Sequence, residues 1–195
     1  VLATDPDADR LGVYVKDTKS GEYICLTGNM SGSFLAEYEI GQKKALEGSL
    51  PEDGELIKTI VTTNLVDAMA KYYGIKVTEC LTGFKWIGQQ ILKEERTGVG
   101  HYMFGMEESY GCLIGTYARD KDAVSATVAL CEAAAYYKTK NMTPIRLVLT
   151  MDFTTSPSAG IAFFAAFWLR TYSHSREPDM LPVREMYLPD LVSFT

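Results

Sequence analysis

Near the N-terminus, Ala3-Thr-Asp-Pro-Asp-Ala-Asp-Arg10 sets carboxylates at the alternate positions Asp5, Asp7 and Asp9 and places Arg10 directly after them. Alternating carboxylates in a short loop can converge on one hard divalent cation. Mg²⁺ takes oxygen ligands in near-octahedral array and is usually held by a few carboxylates plus phosphate oxygens. A guanidinium beside them can grip a phosphate through two parallel N–H bonds. Metal and arginine together point to the handling of a phosphoryl group. An EF-hand loop also opens on alternating Asp, but it wants Gly sixth and Glu twelfth. Counted from Asp5, those places hold Arg10 and Lys16, which excludes it. Two other readings stay open: an ordinary acidic turn, and a phosphatase-type Asp-x-Asp nucleophile pair.

Further signals lie downstream. Glu107-Glu-Ser109, closed by Gly111, puts two carboxylates and a hydroxyl on a loop beside glycines. Such groups can accept from and donate to the vicinal hydroxyls of a sugar. The plainer alternative is a helix N-cap region, with acid near the positive helix end. Paired carboxylates also serve glycoside hydrolysis, but neighbours in sequence rarely straddle a scissile bond. Lys85 stands at a helix start, where the macrodipole disfavours a cation; it is either drawn to an anion or simply solvated. Arg119-Asp-Lys-Asp122 reads as a solvated charge cluster, or as a phosphate contact through Lys121 beside a helix start. His101 is one of only two histidines, which argues against a His-based metal site.

Composition bounds the class. The chain has 195 residues, 47% hydrophobic and 23% charged, as in a soluble globular protein of one domain or one domain with pieces of another. A net charge of -6 lacks the basic balance of a nucleic-acid binder. Cys25, Cys80, Cys112 and Cys131 are far apart, with no C-x-x-C pair. This predicts reduced, mostly buried thiols in a cytoplasmic protein. The sequence opens at Val1-Leu-Ala, inside an apolar strand and without Met or signal peptide. That predicts a fragment whose preceding part is missing.

The elements that must position these residues follow from pattern. Leu11–Val15 and Tyr23–Leu26 read as a hairpin around a turn at Thr18–Gly21. Thr27-Gly-Asn29 offers a helix start, with Phe34, Leu35 and Tyr38 following at helical spacing. Leu56–Thr63 reads as a buried strand. Asn64 then caps a helix with Leu65, Ala68, Met69 and Tyr72 on one face, ended by Gly74. Ile75–Cys80 is a strand. Thr82-Gly-Phe-Lys85 leads into a helix with Phe84, Ile87, Ile91 and Leu92 inward. His101–Phe104 is a short strand feeding the Glu107 loop. Asp122 caps a long helix through Tyr137, with Val124, Val128, Cys131 and Ala135 inward. This alternation predicts an α/β fold with a mixed, mostly parallel sheet flanked by helices. Ligands then sit beyond the carboxyl ends of strands, where both the Thr82 and Glu107 loops fall.

These segments agree in order and spacing with one family. The chain resembles the α-D-phosphohexomutases, in the phosphoglucomutase/phosphomannomutase branch. Asp5–Arg10 resembles the metal loop and Leu26-Thr-Gly-Asn29 the entry to the third domain. Thr82-Gly-Phe-Lys85 resembles a substrate-contacting loop, and Gly105-Met-Glu-Glu-Ser-Tyr-Gly111 the sugar-binding loop. Arg119-Asp-Lys-Asp122 resembles a phosphate-contacting segment. The resemblance implies a four-domain enzyme that interconverts hexose 1- and 6-phosphates through a phosphoserine outside this chain, with glucose 1,6-bisphosphate as intermediate or activator. It implies Mg²⁺ on Asp5, Asp7 and Asp9. It implies substrate contacts at Arg10, Thr82, Gly83, Lys85, Glu107, Ser109 and Lys121, with Arg10 and Lys121 the catalytic candidates and Lys121 the candidate acid or base. The partners are a hexose phosphate and the missing first, second and fourth domains; neither nucleic acid nor membrane is expected. Residues 1–24 would end the second domain and 25–143 form the third.

From Pro144 onward the pattern stops. Residues 1–143 hold twelve Lys and three Arg, whereas 144–195 hold no Lys and four Arg. This predicts an atypical tail, from a shifted reading frame or without order. Ile161–Leu169 is apolar but far short of the roughly 20 residues that span a bilayer, and reads as a buried helix or an aggregation-prone segment. Arg176–Asp190 reads as disordered or loosely attached.

Overall fold

A computed structural model describes residues 1–17 and 20–140; the expected turn residues Thr18 and Lys19 and all expectations for the tail lie outside these. Strands β1 (Leu2–Thr4), β2 (Leu11–Lys16) and β3 (Tyr23–Leu26) form an antiparallel sheet in the order β1-β2-β3. Helix α1 (Gly28–Glu47) follows, then β4 (Gly54–Thr59), α2 (Leu65–Tyr73), β5 (Lys76–Cys80), α3 (Phe84–Thr97), β6 (His101–Met106), β7 (Cys112–Leu113) and α4 (Ala123–Thr139). The second sheet runs β5-β4-β6-β7, with β4 parallel to both β5 and β6 and β7 antiparallel to β6. The α/β architecture with a mixed, mostly parallel sheet is therefore as expected.

The strand order decides where the helices go. The chain moves from β4 outward to β5, then reverses and crosses β4 to reach β6. Right-handed crossovers in opposite directions place α2 and α3 on opposite faces. The core agrees. Leu56 packs with Val66, Met69 and Ala70 of α2, while its neighbour Ile57 packs with Phe84, Ile87 and Ile91 of α3. Adjacent strand residues point to opposite faces, so β4 supplies both cores. Fully burying side chains of this size contributes about 1.5–3 kcal/mol each. Helices α1 and α4 share the α2 face, and the first sheet joins it through Leu11, Val13 and Leu26. Glu37, buried on α1, accepts from Tyr73 of α2 and Tyr137 of α4 and so pins three helices together.

Several expectations need correction. Strand β4 ends at Thr59, and Ile60 and Val61 are exposed in the turn beyond it. Asn64 is the N-cap residue, but its side chain makes no cap bond; its Oδ1 accepts from the buried Lys58 at 3.0 Å. The buried residues of α2 are Val66, Met69 and Ala70, with Leu65 and Tyr72 only partly buried. Leu92 lies at the edge of the α3 face, 36% exposed. On α4 the stripe is reversed. Val124, Val128, Cys131 and Ala135 are all exposed, and Ala123, Ala126, Ala129, Leu130, Ala133 and Tyr137 face inward. Both stripes are apolar, and the one of small alanines lets the helix approach the sheet closely. Cys112 is buried and Cys80 half-buried, but Cys25 and Cys131 are exposed, so the thiols are not mostly buried. Among the described residues, no helix is long and apolar enough to cross a membrane.

One acidic contact lies at the end of the sheet away from the strands' carboxyl ends. Glu55 of β4 and Glu94 of α3 are both buried, and neither oxygen of Glu94 has a hydrogen-bond donor. Burial raises the Glu94 pKa, and the neighbouring Glu55 carboxylate pushes it further, to about 8. The native state then holds a proton that the unfolded chain gives up near 4.5. The stability this proton provides is complete below that value and is lost as pH rises through about 8. The urea midpoint of the chain is expected to fall steadily between those limits. Glu94→Gln, which stays neutral, is expected to remove that part of the slope.

Candidate active site

The acidic loop sits between β1 and β2 and is built by its own hydrogen bonds. Asp5 Oδ1 accepts the N–H groups of Asp9 and Arg10, each at 3.1 Å. Asp5 Oδ2 lies 3.0 Å from Arg10 Nε. Ala8 takes the turn in the left-handed region at φ 57°. Burial opposes ionisation of Asp5, but the bonds from Arg10 and Asp9 outweigh it and lower its pKa. One oxygen from each of Asp5, Asp7 and Asp9 lies within 4.8 Å of the others. Trans ligands of an Mg²⁺ with bonds of 2.0–2.1 Å stand about 4.2 Å apart. Small rotations would therefore bring all three oxygens onto one ion, and the donor set is all hard oxygen. Arg10 remains exposed and pairs with Asp5 and Asp9 within its own loop.

The second loop joins β6 to β7. The Glu107 N–H donates to the Gly111 carbonyl at 2.9 Å, and no helix follows, so the N-cap reading is set aside. Glu107 is buried. Its Oε1 accepts the Gly83 N–H at 2.9 Å, and its Oε2 accepts from Ser109 Oγ at 3.4 Å. Gly83 stands at φ 108°, a conformation that favours glycine and presents its amide to Glu107. The loops after β5 and β6 therefore meet, as expected of loops at the carboxyl ends of neighbouring strands.

Lys121 ties these pieces to the acidic loop. Its Nζ lies 2.8 Å from Asp9 Oδ2, 3.1 Å from Asp120 Oδ1 and 3.9 Å from Glu107 Oε2. It also stands over the Phe84 ring, 5.7 Å from the centroid. Its stem crosses Gly111, where a Cβ would come within 2.0 Å of Lys121 Cδ. Burial disfavours the charged amine, but hydrogen bonds to Asp9 and Asp120 more than offset this and raise its pKa. Lys121 is thus held as a cation, fit to hold phosphate and not to accept a proton. Two backbone bonds brace the junction: Ala123 N–H to Ala8 O at 3.0 Å, and Leu11 N–H to Tyr110 O at 3.0 Å.

The structure thus brings together Asp5, Asp7, Asp9, Arg10, Gly83, Glu107, Ser109 and Lys121. Thr82 is exposed next to Gly83. Lys85 is turned toward Trp86, 5.2 Å from the ring centroid. Arg119 pairs with Glu95 of α3 and docks its segment there. Two residues that lie inside the quoted motifs, but were given no role of their own, also contribute: Phe84 offers its ring to Lys121, and Gly28 lies under the Glu107 loop.

Against this geometry the relatives are informative. Residues 27–149 match phosphoglucomutase/phosphomannomutase, alpha/beta/alpha domain III. The chain belongs to this family. The match begins after β3 and ends beyond Thr143, where the pattern had been expected to stop. A phosphoribomutase of Saccharomyces cerevisiae is 34% identical over 76% of this chain and 24% of its own length. A phosphoglucomutase of Staphylococcus epidermidis is 36% identical over 71% of this chain and 24% of its own. The chain thus spans about a quarter of these relatives. A putative phosphomannomutase from Thermus thermophilus superposes with a TM-score of 0.56 at 27% identity, over 70% of this chain and 27% of that one. More distant members of the fold, N-acetylphosphoglucosamine mutases of Aspergillus fumigatus, have been solved with magnesium and with glucose 1,6-bisphosphate.

A Cβ on Gly28 would fall 2.0 Å from the Glu108 carbonyl oxygen and 2.5 Å from the Tyr110 nitrogen. Both are backbone atoms, so the loop itself must move. Gly28→Ala is expected to cost about 1–3 kcal/mol of stability, measured as a lower denaturant midpoint.

Proposed function

We propose that this chain is the metal-loop and sugar-binding part of a Mg²⁺-dependent phosphohexomutase, which interconverts hexose 1-phosphate and hexose 6-phosphate. The observation that carries this reading is the position of Lys121 Nζ, between Asp9 at 2.8 Å and Glu107 at 3.9 Å. In this reading it joins a cation-binding loop and a hydroxyl-binding loop through one ammonium suited to phosphate. Membership of the family and the order of its motifs support the same conclusion.

In this reading Asp5, Asp7 and Asp9 hold Mg²⁺, which supplies charge neutralisation at a phosphoryl group. Arg10 faces the same group. Glu107 accepts from sugar hydroxyls, and Ser109 donates to or accepts from them. Because such contacts suit vicinal hydroxyls in either order, the ring can bind in two orientations, as exchange between two positions requires. Lys121 holds a phosphate; Thr82, Gly83 and Lys85 flank the sugar. Positioning and charge stabilisation account for most of the rate in such transfers. The phosphoserine and the remaining domains belong to the rest of the enzyme, with residues 1–24 completing its second domain and 25–143 its third. Asp5 is a poor phosphatase nucleophile, because two N–H groups and Arg10 already engage its oxygens.

The 195-residue chain is expected to bind glucose 1,6-bisphosphate in the presence of Mg²⁺ by calorimetry, and to turn over no glucose 1-phosphate. Glu107→Ala is expected to weaken that binding by about tenfold or more, from loss of a charged acceptor. Asp7→Ala is expected to abolish Mn²⁺ binding read by electron paramagnetic resonance. Wild-type affinity that is unchanged in both variants would refute the assignment.

A further inference from the structure

Glu107 and Glu108 are neighbours, yet their carboxylates go to different places. Glu107 turns to Gly83, Ser109 and Lys121. Glu108 turns back to the end of β4, where its Oε2 accepts from Thr59 Oγ1 at 2.9 Å and from Thr62 Oγ1 at 3.4 Å. The two hydroxyls lie 2.8 Å apart and both threonines are buried, at 0% and 4% exposure. The β4–α2 turn that carries Thr62 is itself fixed, since the Thr62 N–H donates to Thr59 O at 3.0 Å and the Thr63 N–H to Asn29 Oδ1 at 3.1 Å. The backbone of Glu108 in turn rests on Gly28.

We infer that Glu108 is a positioning residue: its carboxylate, held by the Thr59–Thr62 hydroxyl pair, fixes the loop so that Glu107 and Ser109 face the sugar. The inference rests on the sugar-loop reading above. Hydrogen bonds to an ionised acceptor are stronger than neutral ones, and a buried hydroxyl pair gives this acceptor one place to dock. Anchoring Glu108 at β4 leaves Glu107, its neighbour, turned to Gly83, Ser109 and Lys121.

The test uses the 195-residue chain with glucose 1,6-bisphosphate and Mg²⁺. Glu108→Ala and Thr59→Val are each expected to weaken binding by about tenfold, and the double variant to be little worse than either, since both break one contact. Thr59→Ser and Glu108→Gln, which keep a donor and an acceptor, are expected to restore most of the affinity. Mn²⁺ affinity at the acidic loop is expected to stay at the wild-type value, which a general loss of structure would not allow. Full affinity in Thr59→Val alongside weakened Glu108→Ala would make Glu108 a direct ligand and overturn the inference. Hydrogen exchange of the Gly83 amide, the donor to Glu107, gives a readout that needs no ligand. It is expected to quicken about tenfold in Glu108→Ala, by loss of that bond's protection. If the wild-type chain binds no sugar phosphate, the functional reading fails, and the exchange rate alone decides the role of Glu108. An unchanged rate overturns it.

Discussion

The Lys121 ammonium is the interaction on which the site depends. Asp5, Asp7 and Asp9 cluster on one loop, Asp9 and Glu107 both approach Lys121, and like charges so gathered disfavour one another. Lys121 offsets this by reaching Asp9 and Glu107 at once, while its stem fills the space above Gly111 and its head lies over Phe84. Three separate stretches of chain, the acidic loop, the β6–β7 loop and the start of α3, thereby share one cation. The side chain is only 13% exposed, so its charge is poorly screened by water and its contacts count for more than those of a surface pair.

The sheet explains why those stretches meet. Helices α2 and α3 lie on opposite faces of the sheet, and the loops after β4, β5 and β6 gather at the carboxyl ends of these strands. Thr59 and Thr62 stand at the end of β4, Gly83 follows β5, and Glu107 follows β6. The first sheet then brings in the acidic loop, because α4 touches Ala8 through its first amide while its N-terminal side carries Lys121. Position in the fold, more than any one motif, brings a turn-like acidic segment up to the Glu107 loop.

Where reading from pattern failed, a competing physical term can be named. On α4 two apolar stripes are available, and pattern alone favours the one that carries Val124 and Val128. Close packing of the helix on the sheet selected the alanines and left Val124 and Val128 outside. Asn64 was expected to cap α2. Lys58, fully buried and ion-paired to Asp67 and Glu79, claims its side-chain oxygen instead, because a buried ammonium needs acceptors more than a helix end near solvent needs a cap. Glu107–Ser109 had a cap reading because local sequence cannot say whether a helix follows.

The sequence by itself determined the alternation of strands and helices, the α/β class, and which residues are candidates to bind a cation or a sugar. Periodicity, caps and side-chain chemistry are local properties, so Asp5-Pro-Asp-Ala-Asp-Arg10 and Glu107-Glu-Ser109 could be read without coordinates. The tertiary structure alone decided which apolar stripe of α4 is buried, that Glu107 and Glu108 part company, and that Lys121 rather than Lys85 spans the two loops. Each of those outcomes depends on residues far apart in the chain competing for the same space or the same partner, a competition that no local pattern records.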